Sequence, residues 1–153
     1  MDAHTLVTPA TPSEWESFHR IRREVLFEAR GRFGVYNAEH PDDRAPNNHP
    51  KLLVHMGEHV GVVRIDIAGP VAGLRRVAIR ADVQRRGHGR ALLRLAERFA
   101  RDAGCTQLVS RVAPDAVGFY QRFGFIVAED GANGQTGRES VLMTKQLALD
   151  STG

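Results

Sequence analysis

The segment QRRGHGRA, from Gln84 to Ala91, combines residue types that can bind an anion. It follows the apolar run LRRVAI and precedes a strongly amphipathic pattern, so it is predicted to join a strand to a helix. The first turn of a helix presents unpaired backbone N–H groups and the positive end of the helix dipole. Glycine lets the backbone turn sharply and lets an anion approach without a Cβ in the way. The segment is therefore either a plain turn or a cradle for phosphate groups.

Two familiar nucleotide-binding loops do not match this segment. A P-loop ends in Gly-Lys followed by Ser or Thr, which does not occur here. A dinucleotide fingerprint needs a third Gly or Ala at a set spacing, and this chain has Leu92 at that place. The segment by itself leaves the turn and the phosphate site as equal alternatives.

A second motif, AVGFYQRFGF, spans Ala116 to Phe125. Together the two motifs resemble those of the GNAT superfamily of acyl-CoA-dependent N-acetyltransferases. The first family motif is Gln/Arg-x-x-Gly-x-Gly/Ala, matched by Gln84, Gly87 and Gly89. The second is Ala-x-x-Phe-Tyr-x-x-x-Gly-Phe, matched throughout. The resemblance covers the chain well from about Lys51 to Phe125, and it favours the phosphate site over the plain turn.

The resemblance implies that acetyl-CoA lies between two splayed strands, that no metal is needed, and that Tyr120 protonates the departing thiolate. Backbone groups of RVAI would pair with the pantetheine arm, and an N–H at Val77 or Ala78 would stabilise the oxyanion. The implied cofactor-binding residues are Val77, Ala78, Ile79, Gln84, Arg85, Arg86, Gly87, His88, Gly89, Arg90 and Ala91. The His88 side chain itself is expected to be exposed. The acceptor would be the amine of a small molecule or peptide, and the acyl group could be longer than acetyl.

The general base is open at this point, because LRRVAI contains no acidic residue. The candidates are a water chain or one of Asp66, Glu28, Glu39, His40 and Asp43. The missing acid also leaves an alternative function, a non-catalytic CoA-binding or sensing module of the same fold.

Hydrophobic periodicity, helix-capping residues and turn-forming glycines predict the helices and strands that must position these motifs. Thr11, Pro12 and Glu14 predict a helix start, and the helix is expected to run to about Arg30, where Gly31 ends it. Residues 31–50 are predicted to form a substrate-side loop that could contain a short helix. Next come a hairpin turning at Gly57-Glu58 and the strand LRRVAIR. The predicted fold class is α/β, or α+β, with a mixed, mostly antiparallel sheet flanked by helices; the resemblance adds a splayed parallel strand pair.

Composition bounds the remaining possibilities. The 153 residues suit one domain over residues 1–153. No signal peptide or membrane span is recognised, and the single cysteine, Cys105, is predicted to be buried, so a cytoplasmic location is expected. The net charge of +3 comes from arginines scattered among acids, which argues against nucleic-acid binding. The spacing of His40, Asp42, Asp43 and His49 fits no zinc pattern, and a homodimer is left open.

Overall fold

A seven-stranded mixed sheet forms the centre of the molecule, which we describe from a computed structural model for residues 3–128 and 140–147. The strands follow the order β1-β2-β3-β4-β5-β7-β6, and only β4 and β5 pair in parallel. They are β1 His4–Val7, β2 Asn48–His55, β3 Glu58–Ala68, β4 Val71–Ile79, β5 Gln107–Val112, β6 Ile126–Val127 and β7 Val141–Gln146. The predicted mixed, mostly antiparallel sheet is confirmed. The predicted connection DGANGQTGRE lies outside the described residues.

The first helix begins where the sequence indicates. Helix α1 spans Pro12–Arg22, and Thr11 and Glu14 form a reciprocal capping box at its start. A π-helical turn, Arg23–Phe27, and a 3₁₀ turn, Glu28–Arg30, continue the helical path. The path ends at Gly31 with a left-handed φ of 77°. The wider π turn lets the chain bend towards the 31–47 loop, which contains one 3₁₀ turn at Pro41–Arg44.

The hairpin between β2 and β3 turns one residue earlier than predicted. Met56 and Gly57 both have positive φ, at 52° and 81°, and Glu58 already belongs to β3. Two consecutive positive φ values are the geometry of a tight type I′ hairpin turn. The sequence suggested Gly57 as its first residue because methionine rarely adopts such a conformation.

Two apolar clusters cover the two faces of the sheet. Helix α2, His88–Asp102, buries Leu92, Leu93, Ala96 and Ala100 in the larger cluster, which also holds Leu53 of β2. Helix α1 buries Phe18 and Ile21 against Leu52 of β2 in the smaller cluster. Neighbouring Leu52 and Leu53 face opposite sides because side chains alternate along a strand. Each buried large aliphatic side chain contributes about 1.5–3 kcal/mol, so both helices are firmly attached to the sheet.

The last helix, α3, spans Val117–Arg122 and follows a 3₁₀ turn at Pro114–Ala116. It ends before Gly124, whose φ is 103°. Cys105 is buried as predicted. Within residues 3–128 and 140–147, no helix is long and apolar enough to cross a membrane.

Candidate active site

The parallel strands β4 and β5 separate halfway along their length. Their pairing runs from Val71 with Gln107 to Leu74 with Ser110 and then stops, although β4 continues to Ile79. Beyond that point β4 stays paired with β3, while β5 stays paired with β7. In the described part of the chain, backbone groups on the facing edges of the two strands therefore lack a strand partner, as they must where an extended ligand adds to a sheet.

A β-bulge lies on β4 just beyond this opening. Val62 pairs with Ala78 and Arg64 with Arg75, so Arg76 and Val77 together oppose a single residue of β3. Arg76 has a φ of 57°, which re-aims the backbone at this point. The residues of β4 that are predicted to bind the cofactor come directly after Arg76 in the chain. Val77 and Ile79 are half-buried, and Ala78 is buried.

The glycine turn lies between β4 and the start of α2. Gly87 precedes the first residue of α2 with a left-handed φ of 86°, and Arg85 has a φ of 67°. The Gln84 side-chain amide donates a hydrogen bond to the Ile79 carbonyl at 2.9 Å, which ties the turn to the end of β4. The predicted phosphate-binding arginines Arg85, Arg86 and Arg90 are exposed, whereas Ala91 is buried. The turn thus presents charge and helix-end N–H groups outward.

The second glycine of the turn has a packing role. A Cβ at Gly89 would lie 3.1 Å from Cζ of Phe119, closer than most real contacts. Phe119 belongs to the second sequence motif, so Gly89 lets α2 and α3 approach each other. The two motifs are therefore in direct contact.

The expectation that His88 is exposed is wrong. Its side chain is only 6% exposed because it turns inward at the start of α2, towards β1 and β2. Its Nδ1 lies 2.8 Å from Nε2 of His4, and His55 stacks on His4 with ring centroids 4.1 Å apart. One ligand nitrogen from each ring lies within 4.8 Å of the others. Burial lowers the pKa of His4, and burial followed by the charges of His4 and His55 lowers that of His88.

Tyr120 lies at the point where the strands separate. Its hydroxyl hydrogen-bonds the Ser110 side chain, and Ser110 in turn donates to the Leu74 carbonyl at 3.3 Å. Ser110 and Leu74 are the last parallel pair before the opening. Burial raises the pKa of Tyr120 to about 12, and the hydrogen bond with the Ser110 side chain opposes this rise. The hydroxyl consequently stays protonated at neutral pH and can donate a hydrogen bond.

The predicted base candidates differ in their surroundings. Buried Asp43 accepts from Arg22 at 2.9 Å and Arg64 at 3.3 Å, and Asp66 accepts from Arg64 through both oxygens. These carboxylates are already engaged by guanidinium groups. Glu28 pairs with Arg23 at 3.4 Å, Glu39 is exposed, and His40 lines a cavity beside the bulge.

Two residues that sequence reasoning missed lie near this cavity. Tyr36 lines it, and the Tyr36 hydroxyl hydrogen-bonds Nδ1 of His19 on α1. Burial, followed by the charge of Arg22, lowers the pKa of His19, and burial raises that of Tyr36. His19 lies beside the apolar residues Trp15, Phe18 and Ile21 of α1, so a polar residue next to this half-buried helix face was the signal available in the sequence.

Comparison with known proteins agrees with the fold described above. An acyl-CoA N-acyltransferase from Pseudomonas aeruginosa superposes with a TM-score of 0.76 at 16% identity, over 93% of this chain and 97% of that one. PaiA N-acetyltransferase from Thermoplasma acidophilum, solved with coenzyme A, gives 0.71 at 16% identity, over 94% and 99%. A candidate N-acetyltransferase from Lactobacillus plantarum gives 0.77 at 25% identity, over 96% and 100%. Residues 15–125 match the acetyltransferase (GNAT) family, and the chain belongs to that family.

Proposed function

We propose that this protein transfers an acetyl group from acetyl-CoA to the primary amine of a small molecule or peptide. The opening between β4 and β5 carries the proposal. The Tyr120 hydroxyl lies beside the end of the opening where β4 and β5 are still paired. The glycine turn follows β4, which forms one side of the opening. The three features could serve the thioester, the leaving sulfur and the pyrophosphate of one cofactor.

Cofactor binding would use mainly backbone groups. The pantetheine arm would add to the free edge of Val77–Ile79 as a partial strand. The pyrophosphate would accept hydrogen bonds from N–H groups between Arg85 and Ala91, where the α2 dipole is positive. Arg85, Arg86 and Arg90 would add exposed positive charge around it.

The reaction forms a bond from the amine nitrogen to the thioester carbonyl carbon and breaks the carbon–sulfur bond. The carbonyl oxygen becomes negative in between, and an N–H at Val77 or Ala78, next to the bulge, would stabilise it. The nitrogen loses one proton and the sulfur gains one. Holding both reactants in one site would supply much of the rate.

Tyr120 would assist the leaving sulfur chiefly by hydrogen bonding. A phenol with a pKa of about 12 is a weaker acid than a thiol, whose usual pKa is about 8.5. Full proton transfer to the thiolate would therefore be uphill, whereas a hydrogen bond that strengthens as charge grows on sulfur is favourable. The proton that finally reaches the sulfur would come from the amine.

The Tyr36–His19 pair offers a route for the amine proton. An amine must be neutral to attack, yet most amines are protonated near pH 7. His19 is held neutral by burial and by Arg22, so it can accept a proton through the Tyr36 hydroxyl at the cavity wall. Asp43 and Asp66 are less suited because arginines already occupy their oxygens.

The test measures binding and turnover separately. Calorimetry with acetyl-CoA should show saturable binding, and thiol release over a panel of primary amines should show turnover. Absence of acetyl-CoA binding would overturn the proposal. Binding without turnover would favour the alternative, a CoA-sensing module. The buried free thiol of Cys105 supports a reducing, cytoplasmic setting for either function.

A further inference from the structure

A cavity beside the β4 bulge is rich in arginine. It has a volume of about 370 Å³ and is bordered by the end of α1, the 31–47 loop, β3 and β4. Sites for small molecules commonly have volumes of about 300–1,000 Å³, so this cavity is of small-molecule size. Arg76 of the bulge forms part of its wall and directly precedes Val77, one of the two residues expected to supply the oxyanion donor.

The positive charge of this cavity exceeds the negative charge. Four arginines line it, Arg22, Arg32, Arg64 and Arg76, against the single carboxylate of Asp43. Asp43 is shared between Arg22 and Arg64, and Arg64 is further neutralised by Asp66. The remaining charge therefore resides mainly on Arg32 and Arg76.

Arg32 and Arg76 have no carboxylate partner among the described residues. Both instead approach one aromatic ring, that of Phe27, with distances of 4.9 Å and 5.3 Å from guanidinium carbon to ring centroid. Burial, followed by the nearby charge of Arg22, lowers the pKa of Arg76. Two guanidinium groups held on the same ring without a counter-ion form a ready site for an anion.

Arg22 adds a third guanidinium group to the lining of this cavity, stacked on the Phe18 ring at 4.3 Å from its centroid. Its Nη1 is bound to Asp43, but its Nε and Nη2 are buried and have no hydrogen-bond partner within residues 3–128 and 140–147. In Arg64, the equivalent two atoms donate hydrogen bonds to both carboxylate oxygens of Asp66. A buried donor left unpaired costs about 1–3 kcal/mol of stability, and a ligand that accepted a hydrogen bond from it would remove that cost.

We propose that the acceptor amine carries a carboxylate, which is bound in this cavity by Arg32 and Arg76 with Arg22 behind them. The inference rests on the proposed acetyl transfer, which it deepens by naming the substrate class. A planar carboxylate fits the two-pronged guanidinium fork, and the volume suits an amino acid better than a folded protein surface. Binding the carboxylate beside Arg76 would bring the amine close to the thioester.

The experiment compares matched amines with the intact chain. Phenylalanine, phenylalanine amide and phenethylamine form one set, and β-alanine and 2-aminoethylphosphonate form a second, with thiol release giving kcat/KM. We expect kcat/KM at least tenfold higher for the amino acid than for its amide or the bare amine. Equal values, or a preference for the neutral amines, would overturn the inference. A clear preference for the phosphonate would replace the carboxylate by a phosphate-like group.

Variants that each remove one positive charge test which arginines select the carboxylate over the amide. Arg32→Gln, at an exposed residue, should lower the ratio of acid to amide at least tenfold while leaving the Kd for acetyl-CoA within twofold. Arg76→Gln should act in the same direction. Arg98→Gln, an equal charge change on the exposed side of α2, should leave the ratio unchanged. An unchanged ratio in Arg32→Gln and Arg76→Gln would overturn the assignment.

A binding measurement separates this inference from the proposed reaction. Calorimetry of N-acetylphenylalanine and its amide against the CoA-loaded protein needs no turnover. Binding of the acid alone, lost in Arg32→Gln, would support the carboxylate site even if no amine were acetylated. Turnover of neutral amines without any binding of the acid would support the proposed acetyl transfer and overturn the proposed carboxylate site.

Discussion

At the scale of single residues, burial shifts the pKa values of the Tyr120 hydroxyl and the His19 imidazole, the two groups proposed to act on protons. Tyr120 remains a hydrogen-bond donor because burial raises its pKa to about 12. His19 remains a proton acceptor because burial and Arg22 lower its pKa. Both effects favour the neutral form, as desolvation always does.

Replacing Tyr120 by phenylalanine should remove the hydrogen bond to the leaving sulfur. We expect kcat about tenfold to a hundredfold lower, a smaller loss than that of a full proton donor. The Kd for acetyl-CoA should stay within twofold because the ring still packs against Phe119 and Phe125. Thiol-release kinetics and calorimetry measure the two values. An unchanged kcat would exclude the tyrosine from the chemistry.

His19 should set the acid limb of the pH–rate profile. Its pKa lies below the usual 6.5, so kcat should hold as pH falls to about 6.5 and then decline as the ring gains a proton. The neighbouring charges that act on this ring are Arg22, Asp43, Arg44 and Arg23. His19→Gln should give a lower kcat without that limb. The same limb in the variant would assign the proton to a group other than His19.

At the scale of elements, the turn before α2 depends on one left-handed residue. Gly87 has a φ of 86°, with open space where a Cβ would be. Gly104, just after α2, has a nearly identical φ of 89° and equally open surroundings. The two glycines therefore differ in location and hardly at all in local strain.

Gly87→Ala and Gly104→Ala form a matched pair. Each should destabilise the protein by about 1–2 kcal/mol, because alanine is strained at positive φ. Only Gly87→Ala should weaken acetyl-CoA binding, by tenfold or more, since it shifts the N–H groups of the turn. Calorimetry gives the affinity and urea unfolding gives the stability. Equal effects on affinity would mean that the turn is structural alone.

At the scale of the whole molecule, His4, His55 and His88 join β1, β2 and the start of α2. Burial lowers the pKa of His4. Burial, followed by the charges of His4, His55, Arg86 and Arg80, lowers the pKa of His88. The folded pKa values of His4 and His88 lie below the unfolded value of 6.5. The unfolded chain therefore binds more protons below that pH, and protonation favours unfolding.

The free energy of unfolding should be constant above about pH 6.5 and fall below it, by up to about 1.4 kcal/mol per pH unit for each neutral ring. The fall should end once the pH passes the folded pKa values. His88→Gln should flatten this dependence, whereas His40→Gln, at an exposed residue, should not. Urea unfolding between pH 4.5 and 8 measures it. Parallel curves for wild type and His88→Gln would contradict this account.

The same variants test the prediction that the protein needs no metal. Three imidazole nitrogens within 4.8 Å of one another are potential zinc ligands. We expect added Zn²⁺ to leave the unfolding midpoint unchanged, because the His4–His88 pair already satisfies two of these nitrogens. A rise in the midpoint that His88→Gln removes would show the prediction to be wrong.

The sequence by itself determined the family, the mixed sheet and the location of the glycine turn before α2. These properties depend on local patterns: a strand, a glycine turn and a helix that follow one another, and a second motif at a fixed spacing. It also predicted the Thr11 cap and the end of the first helical path at Gly31. Periodicity and capping act within a few residues, so a linear sequence displays them directly.

Only the tertiary structure decided which side chains meet. The inward turn of His88 depends on His4, 84 residues away, and the arginine cavity gathers residues from α1, a loop and two strands. Asp43 changed from a base candidate to an ion-pair partner because Arg22 and Arg64 converge on it. The bulge at Arg76 likewise follows from the register of β3 against β4. Such contacts depend on long-range packing, which no local pattern specifies, and they form the cavity proposed to bind the acceptor.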